Sequence, residues 1–451
     1  MLEKESLKVL QQAVEKLDQG FASLPNNASQ SPQMNRVAEV LIAAAERLQD
    51  NYPYFHPLYA GQMLKPPHPV ARLAYALAQW INPNNHALDG GRASSAMEKE
   101  AVAELAHMFG WTEHLGHLTS GGTMANLEAL WVAGQLASGK TIVASEQAHY
   151  THKRISAVLQ LKFEAVACDA RARIDLESLK KRLAKGDVGT VVATIGTTAT
   201  GSVDPLTEIL ELQAKHGFRV HCDAAYGGYF VLTENLADET RRAFDAIRHS
   251  DSIVIDPHKH GLQPYGCGCV LFREPAVGRF YKHDSPYTYF SSKELHLGEI
   301  SLECSRPGAA AVALWATQKL LPLVKDGEFA KGLENCREAA RELHRRISQD
   351  RRFVAAFAPE LDIVAFAPRT DSVSYSSILT RKIFDAAARR NLHLAVAELP
   401  VGFFAPRLGE MKKDRPSLTC LRSVLMKPEH RDWIDRIWHI LIEAGDEVLR
   451  T

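Results

Sequence analysis

Between Asp251 and Arg273 the chain reads Asp-Ser-Ile-Val-Ile-Asp-Pro-His-Lys-His-Gly-Leu-Gln-Pro-Tyr-Gly-Cys-Gly-Cys-Val-Leu-Phe-Arg. An apolar β-branched run, Ile253 to Ile255, stops at Asp256-Pro257. His258 and Lys259 follow, then a glycine- and proline-punctuated turn and a second apolar run, Cys269 to Phe272. A lysine at the end of a buried strand suggests amine chemistry, because a partly desolvated amine titrates downward and becomes nucleophilic. Taken alone, Lys259 reads as a lysine snorkelling from a loop. Its role therefore rests on what else converges on it.

Other apolar runs end in polar residues too. Thr141 to Ala144 runs into Ser145-Glu-Gln-Ala-His149, and Thr190 to Ile195 into Gly196-Thr197-Thr198. Phe218 to His221 runs into Cys222-Asp223-Ala-Ala225. One strand-end aspartate is common; four suitable polar ends form a constellation. The segment Thr119-Ser-Gly-Gly-Thr-Met-Ala-Asn126 adds an anion site. Gly121 and Gly122 let the backbone approach a ligand, and a helix opening at about Thr123 offers free N–H groups and a positive dipole end.

The elements that must position these residues alternate. Helix-periodic segments (Ala96 to Phe109, Met124 to Leu136, Leu176 to Ala184, Leu206 to His216) separate the apolar runs. That pattern predicts an α/β fold with a mainly parallel sheet covered by helices on both faces, and ligands beyond the carboxyl ends of its strands. Two amphipathic helices, 2–18 and Met34 to Leu48, form an arm suited to packing on another subunit. The aromatic, proline-rich stretch Tyr52 to Met63 suits a pocket wall. A long helix, Ala309 to Leu320, leads into a smaller α/β domain, whose last strand carries Arg422 inside an apolar run and so demands an anionic partner. The expected division is an N-terminal helical arm (1–65), a large domain (66–310) and a small C-terminal domain (311–451).

The composition narrows the function. The chain has 451 residues, 46% hydrophobic and 24% charged, with net charge +0, so no global field draws it to nucleic acid or anionic membrane. Its N-terminus lacks signal-peptide character and no apolar run reaches membrane-span length. The seven cysteines are scattered without a Cys-x-x-Cys pair, which predicts a reducing, cytoplasmic setting. Gly134-Gln-Leu-Ala-Ser-Gly-Lys-Thr141 matches a nucleotide-phosphate loop by letter, but it ends a helix and precedes a strand, the reverse of the required order. His149-x-x-His152 and His258-x-His260 lack a third ligand at suitable spacing, so no metal site is expected.

A phosphate site, a strand-end aspartate, a histidine and a strand-end lysine in one crevice suit a phosphorylated carbonyl cofactor held by lysine as a Schiff base. Pyridoxal 5′-phosphate is that cofactor. With these motifs in order, roughly residues 50 to 430 resemble the group II pyridoxal-phosphate-dependent amino acid decarboxylases, the glutamate, aromatic amino acid and tyrosine/aspartate decarboxylases of the aspartate aminotransferase fold (fold type I). The resemblance implies that Lys259 carries the cofactor, with His258 beside the phosphate. It implies that Asp223 pairs with the pyridine nitrogen, that Ala225 packs on the ring, and that His149 stacks on its other face. Gly121, Gly122, Thr123 and Thr198 match phosphate or ring contacts. His56-Pro-Leu-Tyr59-Ala-Gly-Gln62 resembles a segment whose glutamine lines the site, making Gln62 and Tyr59 substrate contacts. Leu421-Arg422-Ser-Val resembles the segment whose arginine holds the substrate α-carboxylate. Arg306, in Cys-Ser-Arg-Pro-Gly, is a second candidate for that task, or else a structural arginine between domains. In relatives a tyrosine on a mobile loop is linked to protonation at Cα, and Tyr289 or Tyr287 in the segment 280–292 takes that place. The implied activity is decarboxylation of an L-amino acid to its amine and carbon dioxide, in a homodimer with shared active sites. Rivals are a carbon–carbon lyase resembling sphingosine phosphate lyase, an aminotransferase, and a non-catalytic scaffold. Gln62 and Arg422 lean toward an acidic substrate, and Tyr54, Phe55 and Tyr59 toward an aromatic one.

Overall fold

The computed structural model describes residues 4–25, 33–86, 90–282 and 301–450. Helices α1 (Lys4–Gln19) and α2 (Met34–Leu48) open the chain, and neither buries a residue. An irregular stretch, 51–68, leads to α3 (Pro69–Gln79) and α4 (Arg92–Met108). Alternation then begins with β1 (Leu115–Thr119), α5 (Gly122–Leu136), β2 (Thr141–Ser145), α6 (Thr151–Val158), β3 (Lys162–Val166) and α7 (Leu176–Leu183). It continues with β4 (Val188–Thr194), α8 (Leu206–His216), β5 (Arg219–Asp223), α9 (Asp238–Ala246), β6 (Ser252–Ile255) and β7 (Gly268–Phe272). Helix α10 (Gly308–Leu320) packs on α3 and α4. After it come α11 (Glu328–Gln349), β8 (Phe353–Ala355), β9 (Ile363–Pro368), α12 (Val373–Arg389), β10 (Ala395–Pro400), β11 (Ser417–Val424) and α13 (His430–Leu449).

The first seven strands form one sheet in the order β1-β7-β6-β5-β4-β2-β3. All its pairings are parallel except the two made by β7, which runs against both neighbours. The α/β expectation of a mainly parallel sheet therefore holds, and the sheet has seven strands. Helices on both faces bury the apolar runs of β6 and β7 completely. The other four strands form an antiparallel sheet, β10-β11-β9-β8. The pocket-wall segment docks on it: the Ala60 N–H donates to His393, and the Val424 N–H donates to the Ala60 carbonyl.

Three strands lay outside the sequence expectation: β1, β3 and β10. All are sheet edges, and their side chains are only partly covered. An edge strand has no need of a continuous apolar run, so its sequence carries little signal.

Edge strand β1 is held by a buried polar network. Arg306 donates through Nη1 to Glu98 Oε1 at 2.6 Å and to the Leu118 carbonyl at 2.9 Å, and through Nη2 to the Asn85 carbonyl at 2.8 Å. Glu98 in turn accepts from the Leu118 N–H at 3.0 Å and from Asn85 Nδ2 at 2.6 Å. Arg306 is thus structural, and its expectation as a substrate contact is corrected: its charge is committed to Glu98, away from the strand ends where the cavity lies. Breaking a buried pair strands the remaining charge. Arg306→Ala is expected to lower unfolding stability by about 3–5 kcal/mol in denaturant titration.

Candidate active site

The strand ends enclose a cavity of about 410 Å³. Of the expected cofactor residues, Gly121, Gly122, Thr123, His149, Thr198, Asp223, Ala225, His258 and Lys259 all line it. Tyr289 and Tyr287 lie outside the described residues.

At one end, α5 begins at Gly122 with no side-chain cap, so its first N–H groups face the cavity unpaired within the helix. A Cβ on Gly122 would fall 2.7 Å from Asp256 Oδ2, and one on Gly121 would fall 3.2 Å from His258 Cε1. Only glycine permits this approach. Asp256, at the end of β6, is almost fully buried and pairs with Lys259 Nζ at 3.0 Å. The amine is therefore held by Asp256, a different carboxylate from Asp223. Burial lowers the His258 imidazole below its ordinary value, and its buried Nδ1 has no partner among the described residues.

At the other end, Asp223 closes β5 with 5% exposure. Burial alone would raise its carboxyl. The hydrogen bond from His152 Nε2 at 2.8 Å, and the positive charges around it, instead hold it well below the usual carboxylate range. Asp223 Oδ1 also accepts from the Ala225 N–H at 3.2 Å. Beside this pair, burial pushes His221 down to about 3, so its ring is neutral, and it bonds Ser252 Oγ and Asn126 Oδ1, each at 2.8 Å. His149 precedes α6 by two residues, and its Nδ1 accepts from the Thr151 N–H at 3.3 Å. Burial lowers its imidazole as well. The sequence argument used His152 only as a rejected metal ligand. The signal that could have found it is its spacing: three residues after His149, on the helix that follows a strand end.

The substrate-side residues also meet. Arg422, 5% exposed, donates through Nη2 to the Thr198 carbonyl at 2.6 Å and through Nε to the Ala199 carbonyl at 3.0 Å. Its Nη1 reaches Gln62 Oε1 at 3.3 Å. The Gln62 N–H donates to the Tyr59 hydroxyl at 3.3 Å, and Tyr59 packs edge-on against Tyr54 at 4.9 Å. Arg422 thus has carbonyl partners but no carboxylate among the described residues, and its loop partner Thr198 lines the cavity.

These residues fit pyridoxal phosphate. An uncapped helix start beside two glycines suits the phosphate, an ionised buried carboxylate suits a protonated pyridine nitrogen, and an amine lies between them. His152→Phe removes the donor that keeps Asp223 ionised, leaving burial to raise its carboxyl. Wild-type Asp223 stabilises the ionised site above the ordinary carboxylate value and loses that effect only as pH falls through its depressed value. The acid limb of cofactor binding, followed by visible absorbance, is expected to move upward in the variant by at least about one pH unit.

A family model described as "Pyridoxal-dependent decarboxylase conserved domain" matches residues 130–369. The probable L-tyrosine/L-aspartate decarboxylase of Methanothermobacter thermautotrophicus is 30% identical over 263 residues, covering 57% of this chain and 70% of that protein. The L-tyrosine decarboxylase of Enterococcus faecium is 27% identical over 390 residues, covering 64% of each. Among solved structures, mouse CSAD in apo form superposes with a TM-score of 0.79 at 20% identity, covering 98% of this chain and 99% of that one. Oryza sativa TDC with PLP and tryptamine superposes at 0.77 and 17% identity, covering 99% of both chains. Neither the carbon–carbon lyase nor the aminotransferase alternative is favoured by these matches. The chain belongs to the pyridoxal-dependent decarboxylases, which use pyridoxal phosphate to remove the carboxylate of an amino acid.

Proposed function

We propose that this enzyme decarboxylates an acidic L-amino acid, and that Lys259, Asp223, His149 and Arg422 carry the reaction. The observation behind the substrate class is the Arg422–Gln62 pair. Gln62 turns its oxygen to the guanidinium, which leaves its amide N–H groups to donate outward, so two donor groups stand together for carboxylates. Names of relatives agree in part: one is an L-aspartate decarboxylase of Thermococcus kodakarensis. A second reading, an aromatic substrate, is favoured by the Tyr52, Tyr54, Tyr59 and His393 cluster on the same wall.

Bound pyridoxal phosphate supplies an electron sink for the pair left when the Cα–carboxylate bond breaks. The chain's residues do the rest. The α5 N-terminus and His258 would hold its phosphate, and Lys259, its amine oriented by Asp256, would hold its carbonyl group. Asp223, kept ionised by His152, would hold a proton on the ring nitrogen. His149 would cover the ring, and Arg422 would position the substrate carboxylate. Tyr289 is the proton donor to Cα in this proposal.

The same reading makes the protein a cytoplasmic homodimer with shared sites and an arm at 1–65, a large domain at 66–310 and a small domain at 311–451. Support comes from seven unpaired cysteines and from the two separate sheets. It comes also from α1 and α2, which leave Leu7, Val40, Leu41 and Ile42 exposed. No described helix is long and apolar enough to cross a membrane.

Lys259→Ala is expected to lose the visible absorbance of the cofactor-loaded protein, and an unchanged spectrum refutes the anchor. A screen of the standard L-amino acids for carbon dioxide release, with added pyridoxal phosphate, should single out aspartate or glutamate; turnover confined to tyrosine or tryptophan selects the aromatic reading. Sedimentation is expected to give a dimer, and deletion of α1 and α2 a weaker one.

A further inference from the structure

Away from the strand ends, a second polar cavity of about 360 Å³ lies between α9 and α11. Three arginines line it: Arg171, Arg337 and Arg341. Among the described residues the only carboxylate in its lining is Glu360, and both of its oxygens are occupied, one by Arg171 Nη2 and the other by the Val203 N–H at 2.6 Å. Arg171 is further engaged by Glu239 at 2.7 Å. Arg337 feels the Glu360 charge without forming an ion pair to it, and Arg341 has no acidic partner among the described residues.

Arg337 carries the argument. It is 4% exposed, yet its guanidinium meets only carbonyl oxygens, those of Glu360 at 2.9 Å from Nε and of Asn235 from Nη1. Among the described residues it has no ion pair, and its Nη2 has no hydrogen-bond partner. Arg341, one turn further along α11, adds a second cation with no acidic partner among the described residues, and the two repel. A buried charge beside a like charge is costly unless an anion completes the set. Burial and Arg407 hold His344, also in the lining, down to about 4, so it contributes no positive charge near neutrality.

Two further polar atoms are left open. Thr240 lies in the first turn of α9, is 2% exposed, and its Oγ1 has no partner among the described residues although the residue lines the cavity. Helix α9 has no side-chain cap, which leaves the N–H groups of its first turn without an intrahelical partner. Asn235 Oδ1 is buried without a donor. A tetrahedral oxyanion answers all of these: its oxygens suit the guanidinium forks and the Thr240 hydroxyl, and the O–H of a monoprotonated form suits Asn235 Oδ1.

We infer that the cavity formed by Arg337, Arg341, Arg171 and Thr240 is a binding site for a phosphate-class oxyanion, separate from the cofactor site. The bound anion ties the large-sheet helix α9 to α11 of the smaller domain, and so adds stability when filled.

The test uses the holoenzyme saturated with pyridoxal phosphate, its visible absorbance monitored so that cofactor loss is detected. Inorganic phosphate is titrated calorimetrically at constant ionic strength set with chloride, and melting temperature is followed in parallel. Wild type is expected to bind phosphate and gain melting temperature with the absorbance unchanged. Arg341→Ala, an exposed position that keeps the fold, is expected to weaken binding by about tenfold, or about 1.4 kcal/mol. Arg337→Gln, if it folds, is expected to abolish it. Absence of binding to wild type overturns the inference, and so does Arg341→Ala binding phosphate as tightly as wild type.

Discussion

Asp223 must stay ionised while buried at the end of a strand that has almost no exposure, and burying a carboxylate costs several kcal/mol unless it is bonded. His152 meets that cost with one hydrogen bond, and the geometry around it follows from the need to keep that bond. His149 lies two residues before α6 and His152 lies in its first turn, so the same short segment carries both rings to the Asp223 end of the cavity. His221, neutral and pinned between Ser252 and Asn126, fills the space behind them. A neutral imidazole is required there, because a second cation beside His152 would compete for the same carboxylate.

The opposite end depends on close backbone approach. Asp256 occupies the volume that a side chain at position 122 would need, and a Cβ on Gly268 would lie 2.5 Å from the Gly121 carbonyl carbon. The loop that opens α5 is thus clamped between β6 and β7. It is delivered there by β1, an edge strand with little apolar content, which Glu98 and Arg306 hold in place. A structural ion pair therefore sets the position of the anion cradle without touching it.

The smaller sheet reaches the site through Arg422, whose guanidinium bridges the loop at Thr198 and the wall at Gln62. The arginine-lined cavity lies between α9 and α11, and shares no lining residue with the strand-end cavity. In both places a buried guanidinium rests on carbonyls alone. Such a group is stable enough to fold and still retains an electrostatic demand for an anion.

Periodicity and strand-end chemistry were legible in the sequence for the buried interior. The central strands, the long helices, and the positions of Lys259, Asp223, His149 and the Gly121-Gly122 turn follow from runs that burial on both faces makes continuous. The edge strands β1, β3 and β10 were not legible, because half-covered strands need no such pattern. The role of His152 was not read and that of Arg306 was left open between substrate contact and structural arginine, for one shared reason: residue type and local spacing do not say which distant carboxylate a polar group will meet. His152 finds Asp223 across 71 positions and Arg306 finds Glu98 across 208. Sequence by itself determined the chemistry available at the strand ends. Only the tertiary structure decided which charges are spent on holding the fold and which remain for ligands, since that depends on packing between segments far apart in the chain.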